Sequence, residues 1–284
     1  MTPEGGAVGS GIAPDGPDSL YLDLLKRVLC RSGFPASFRI LPAGPQLRHL
    51  PRRALQGALA TRGLELVLKP DPDLRRDGRD WPTDAETMIG TLRLDNLQSC
   101  VTSVLRDGVP GDLMETGVWR GGASIFMRGV LKAHGVTDRV VWAADSFQGL
   151  PRPEAERFGD DAGDRFWGYG ALAVSLDEVK ANFARYGLLD DQVRFLAGWF
   201  RDTLPGAPVE RLAVLRLDGD MYESTIVALE ALYPKLSPGG FVIVDDYGAV
   251  PACKSAVEDY RAASGIDDPI EEIDWGGVFW QRST

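Results

Sequence analysis

Apolar positions along this chain follow two rhythms, and the rhythm changes near residue 110. Before that point apolar residues recur at helical spacing. Ser19–Cys30 (SLYLDLLKRVLC) predicts a helix with Ser19 as its N-cap. Thr83–Leu105 predicts helix with a break or two. Between them, residues 32–80 are interrupted by Pro, Arg and Gly and predict two helices with irregular links. After residue 110, short apolar runs alternate with amphipathic stretches. The runs predict strands over 112–117, 139–144, 192–197, 211–217 and 240–245. The stretches predict helices near 121–134, 175–186, 222–236 and 252–264, with a short helix after the third strand. Such alternation implies right-handed βαβ units and a parallel sheet. The end differs: Pro269–Ile273, a Gly276-Gly277 turn and Val278–Arg282 predict a hairpin, which departs from a dehydrogenase-type sheet.

Three segments break the pattern. Residues 1–18 are rich in Gly, Pro and acid, predict a disordered tail, and lack the basic and apolar regions of a signal peptide. Residues 19–82 read as a separate N-terminal segment, a substrate lid or an oligomerisation element, ahead of a main domain over 83–284. Residues 151–170 (PRPEAERFGDDAGDRFWGYG) form a long polar insertion that holds Phe158, Phe166, Trp167 and Tyr169, and predict a functional lid.

Composition narrows the function. A formal charge of −10 argues against a nucleic-acid binder. Cys30, Cys100 and Cys253 are scattered and odd in number, so a disulfide framework is not expected and a reduced cytosol fits. With only His49 and His134, a multi-histidine metal site is excluded, and His134 reads as a dipole partner at a helix end. No apolar run approaches the roughly 18 residues of a membrane span.

Four constellations carry chemistry. The first is Glu115-Thr116-Gly117-Val118-Trp119-Arg120-Gly121-Gly122-Ala123-Ser124, where a strand turns into a helix. Its glycines allow a ligand to approach the backbone, and the helix start offers N–H groups to a carboxylate. It is not the dinucleotide fingerprint G-x-G-x-x-G, and a plain tight turn is an equal reading. The second is Asp145 with Ser146, an acid at a strand end placed to take two ribose hydroxyls, or else to cap its own turn. The third is Asp218 and Asp220 after one strand, Asp245 and Asp246 after the next. Capping explains one of them: Asp220 for the helix from Tyr222, or Asp246 for the turn at Tyr247-Gly248. Four converging acids repel one another unless a cation joins them, and oxygen ligands suit Mg²⁺ or Mn²⁺. The fourth is Gly198-Trp199-Phe200, which stacks a flat base or simply packs the core.

These motifs together resemble the macrocin O-methyltransferase (TylF-like) family. The resemblance rests on Thr87-Met88-Ile89-Gly90, Arg93-Leu94-Asp95-Asn96-Leu97, Asp112–Gly122, Ala144–Pro151, Leu215–Ser224 and Gly239–Gly248, across residues 83–282. It implies the seven-stranded, Rossmann-like class I sheet of the S-adenosylmethionine (SAM) methyltransferases, with a C-terminal hairpin and an N-terminal helical appendage. It implies SAM and Mg²⁺ as cofactors, and methylation of a sugar hydroxyl on a glycosylated secondary metabolite such as an antibiotic. Glu115, Gly117 and Ser124 would line the methionine part of SAM, Asp145 and Ser146 would hold the ribose, and Gly198 and Trp199 would flank the adenine, with Phe200 also at the cofactor. Thr87, Met88, Met114, Thr116, Trp119, Arg120 and Asp218 would complete the cofactor site. Asp218, Asp245 and Asp246 would hold the metal, with Asp218 also the base. The partners expected are a small glycoside or sugar diol and further copies of the chain, with neither nucleic acid nor membrane. Two other readings are weighed. Asp218-Gly219-Asp220 also matches the D-x-D of a metal-dependent glycosyltransferase, and a non-catalytic SAM- or metal-binding assembly partner would share the fold.

Overall fold

The computed structural model describes residues 16–32, 34, 39–40, 50–69, 71–80 and 83–283. Most of the expected tail and His49 lie outside these residues. The first helix, α1 (Pro17–Leu29), starts earlier than expected, with Gly16 at the N-cap and Ser19 already in its first turn. Proline suits that start because its missing N–H has no helical partner there. Two short strands, β1 (Arg39–Ile40) and β2 (Val67–Leu68), pair antiparallel. Between and after them come α2 (Leu50–Ala60) and α3 (Pro72–Arg76), the two helices expected in this stretch.

The long helix α4 (Thr91–Arg106) begins eight residues later than the Thr83 expected, with Gly90 at its N-cap and an irregular segment before it. The Arg120 guanidinium donates to the carbonyls of Thr83 and Ala85 at 2.6 and 2.9 Å.

The chain then alternates: β3 (Asp112–Thr116), α5 (Gly122–Ala133), β4 (Val141–Asp145), α6 (Leu176–Arg185), β5 (Val193–Ala197), α7 (Phe200–Thr203) and β6 (Leu212–Leu217). After these follow α8 (Tyr222–Leu232), β7 (Leu236–Val244), α9 (Pro251–Ser264), β8 (Glu271–Glu272) and β9 (Val278–Gln281). The seven strands of the main sheet run in the order β5-β4-β3-β6-β7-β9-β8. The first five are mutually parallel, and the terminal hairpin joins antiparallel through β9. Every residue of β6 is buried, as expected of a central strand that is apolar but for Arg216.

One apolar layer covers each face of the sheet. On one face α1 packs on α5, where Gly129 leaves no room for a side chain: a Cβ there would lie 2.4 Å from Leu25. Strand order reverses at β3, the place where an open α/β sheet forms a crevice beyond its carboxyl ends. Gly117 makes the chain turn tightly there. Its φ is +87°, and a Cβ would come within 1.6 Å of the Asp218 carbonyl oxygen.

Candidate active site

A cleft opens at that switch point. Its walls include Met88, Gly117, Trp119, Asp145, Ser146, Trp199, Phe200, Asp218, Asp220 and Glu223, and Leu150, Pro151 and Leu172 close one side. Three non-glycine residues around it hold left-handed backbone: Trp119 at φ 47°, Phe147 at φ 56° and Asp220 at φ 57°. Such conformations are costly for side-chain-bearing residues and gather where geometry serves a ligand.

The turn after β3 and the end of β4 form one unit. Asp145 Oδ2 accepts the backbone N–H of Val118 at 2.7 Å and of Trp119 at 3.3 Å, and Oδ1 accepts that of Phe147 at 2.8 Å. Burial nevertheless raises the Asp145 pKa. Of the two readings of this acid, the turn-capping one is observed directly, and the same side chain also lines the cleft. Ser146 Oγ donates to the Gly149 carbonyl at 2.6 Å. Trp119 Nε1 donates to the Ala171 carbonyl at 2.8 Å, tying the glycine-rich turn to the far end of the insertion.

Other residues expected at the cofactor lie beneath the wall. Ser124 donates to Glu115, and both are fully enclosed, as are Met114 and Thr116. Burial pushes the Glu115 pKa up to about 7, against the Arg216 guanidinium and the Ser124 hydroxyl. Thr87 is buried and accepts the N–H of Ile89 at 3.3 Å. Arg120 is spent on the 83–85 carbonyls, and Gly198 donates its N–H to the Asp145 carbonyl at 2.9 Å. These residues shape the cleft without lining it, in contrast to the neighbouring Met88, Gly117, Trp119, Trp199 and Phe200.

The acids converge. One carboxylate oxygen from each of Asp218, Asp245 and Asp246 lies within 4.8 Å of the others. Two buried arginines compensate them in part. Arg216 donates to Glu115, to Asp218 at 2.9 Å and to Asp245, while Arg93 donates to Asp245 and to Asp274. Both oxygens of Asp245 are thus held by guanidinium groups, which keep its carboxyl below the usual range despite burial. The others remain under-compensated. Burial and neighbouring acids raise Asp218 to about 6, Asp220 to about 7, and Asp246 well above its ordinary value.

Neither capping role expected of these acids is filled by them. Asp246 Oδ2 accepts the Asp220 N–H at 3.3 Å, across the gap between the two loops. The start of α8 is capped from elsewhere, by Asp161 of the insertion. His134 does end α5, but burial lowers its pKa and favours the neutral ring.

Arg93, Arg216 and Asp161 were not singled out from sequence. Arg216 left a signal, being a charge inside an apolar strand. Such a charge is buried only if paired. Arg93 falls on the apolar face of α4 beside Leu94 and Leu97, a weaker version of the same signal. Asp161 left none, because its partners lie 61 and 62 residues away.

Comparison with known proteins decides what this constellation belongs to. The family model for macrocin O-methyltransferase (TylF) matches residues 18–282. The chain belongs to the macrocin O-methyltransferase family. A Streptomyces olivaceus member, 8-demethyl-8-(2,3-dimethoxy-alpha-L-rhamnosyl)-tetracenomycin-C 4'-O-methyltransferase, is 65% identical over 216 residues, which cover 76% of this chain and 82% of that protein. The mycinamicin III 3''-O-methyltransferase of Micromonospora griseorubida is 52% identical over 96% of this chain and its own full length. The solved structure of the O-methyltransferase NovP superposes with a TM-score of 0.81 at 48% identity, over 94% of this chain and all of that one. Family membership makes the chain an O-methyltransferase, and the fold implies SAM as methyl donor. The nucleotide-sugar reading of Asp218-Gly219-Asp220 and the non-catalytic reading give way to it.

Proposed function

We propose that this macrocin O-methyltransferase family member methylates a sugar hydroxyl on a glycosylated secondary metabolite, with SAM as donor and Mg²⁺, or Mn²⁺ in its place, as metal. The observation that carries the reading is the Asp218–Asp245–Asp246 cluster, within 4.8 Å, bordering an aromatic-walled cleft. The relatives support the acceptor class, since one is named for a rhamnosyl tetracenomycin.

The donor set fits a hard divalent cation. Glu115, Asp218, Asp220, Asp245 and Asp246 press on one another, and among the described residues Arg216 and Arg93 are the cations that offset them. Asp218, Asp245 and Asp246 would hold the metal, which would acidify and orient the acceptor hydroxyl. SAM brings an already activated methyl group, so the remaining obstacle is a weakly acidic nucleophile.

The chain's own residues address that obstacle. Trp199 and Phe200 would flank the adenine of SAM, and Asp145 and Ser146 would hold its ribose at the end of β4. Asp218, expected to act as base, is engaged by Arg216 and faces the proposed metal, so we assign it as ligand. Asp220 lines the same cleft, and its carboxylate accepts no hydrogen bond among the described residues. That unpaired carboxylate on the cleft wall is the group placed to receive the acceptor proton. Holding acceptor and donor in line contributes up to about 7–11 kcal/mol in favourable cases.

Three buried free cysteines fit a reducing cytosol, and we place the working enzyme there. Among the described residues no helix is long and apolar enough to cross a membrane. The test is methyl transfer from SAM to a panel of O-glycosides after EDTA dialysis. Turnover that returns only on adding Mg²⁺ or Mn²⁺ supports the reading; full turnover in EDTA refutes the metal.

A further inference from the structure

Helix α8 begins directly after the Asp218–Gly219–Asp220 turn, and Met221 at its N-cap position supplies no side-chain cap. The missing cap comes from the insertion. Asp161, 1% exposed, accepts the N–H of Tyr222 at 2.7 Å with one oxygen and of Glu223 at 2.9 Å with the other. Two further contacts press the insertion on the same helix end: the Phe158 ring lies 6.0 Å from that of Tyr222, and Arg201 bridges Glu154 to Glu223. The turn so anchored is strained, with Asp220 at φ 57° and the Met221 N–H folded back 2.6 Å from the Gly219 carbonyl.

We propose that Asp161 is a positioning residue. It latches the 151–172 segment over the cleft and, through the cap it gives α8, holds the turn that aims Asp218 and Asp220. The second half rests on the metal reading above. A buried carboxylate bonded to two free helical N–H groups is stabilised by the helix dipole as well as by the bonds. Release of the segment removes both at once, so lid closure and acid-cluster geometry are one event.

Two measurements on the full chain separate the halves. Arg157 and Arg165 are exposed and flank Asp161, so trypsin reads the latch. Asp161→Ala speeds cleavage at these two bonds about tenfold, the size of one lost cap. Asp161→Asn, which keeps one acceptor oxygen, speeds it less. Mn²⁺ affinity of EDTA-stripped protein, read by EPR, falls about three- to tenfold in Asp161→Ala. Adding Met221→Ser, which gives α8 its own cap, restores that affinity while cleavage stays fast.

Wild-type cleavage and Mn²⁺ affinity in an Asp161→Ala protein of normal melting temperature overturn the proposal. Fast cleavage with unchanged Mn²⁺ affinity overturns the coupling to the turn. Slow cleavage restored by Met221→Ser shows fraying of α8 rather than a latch and also overturns it. Should the alanine variant not fold, Asp161→Asn decides with the same signs. Failure of the wild-type chain to bind Mn²⁺ refutes the metal alone, and cleavage still tests the latch.

Discussion

Replacing Arg216 by methionine tests how the acid cluster is held. The guanidinium is 2% exposed and bonds three carboxylates, those of Glu115, Asp218 and Asp245. Methionine fills much of the space but leaves these charges without their main partner. Breaking a buried pair by removing one member costs about 3–5 kcal/mol. In a domain of this size that lowers the melting temperature by roughly 6–20 °C. The loss depends on pH with a definite sign. Glu115 and Asp218 already stand at about 7 and about 6, and Arg216 lowers both. Without it they rise further, so the folded variant binds more protons than the unfolded chain and gains stability as pH falls. The deficit is therefore full at about pH 8 and shrinks toward pH 5. Calorimetry of both proteins in EDTA across that range is the assay. A deficit under about 1 kcal/mol, or one that grows on acidification, would falsify the assignment of Arg216 as the clamp.

Three further outcomes are expected. Asp145→Ala strips the Val118, Trp119 and Phe147 amides of their acceptor, at about 1–3 kcal/mol for each buried group left unpaired. It weakens SAH binding at least about tenfold by calorimetry, whereas Asp246→Asn keeps SAH affinity within about threefold and removes metal-dependent turnover. The metal-free wild type melts higher as pH falls from about 8 to 5, because Glu115, Asp218 and Asp220 all titrate above their ordinary values, and saturating Mg²⁺ stabilises less on acidification. A flat profile in EDTA contradicts this. Gly117→Ala drives a methyl into the Asp218 carbonyl and strains φ, so it costs about 3 kcal/mol or more and abolishes SAH binding; normal melting and SAH affinity would show that the turn relaxes freely.

Much of this architecture was legible in the sequence because the apolar rhythm changes with the element type. Strands β3 to β6 lie within two residues of their expected limits, and the acids fall at strand ends because each apolar run stops there. Strand β7 starts at Leu236, four residues before the expected 240. Ser237-Pro238-Gly239 looks like a turn, but a register shift against β6 lets the strand pass through it. The irregular course of 83–90 was hidden for another reason. Its local pattern is helical, but its backbone bonds go to distant residues, to Arg120, Gly122 and Leu29. The site divides the same way. Residues whose placement follows from the end of a strand, such as Asp145 at the cleft and Asp246 in the acid cluster, could be placed in advance. Residues whose role depends on a partner far along the chain, such as Asp161 and Arg93, could not.

The most direct measurement is a crystal structure grown with SAH and Mn²⁺, with anomalous data locating the manganese. The proposal places the peak between Asp218, Asp245 and Asp246, with the SAH ribose at Asp145 and its adenine against Trp199. A peak elsewhere, with the three carboxylates bound only by Arg93 and Arg216, would contradict it.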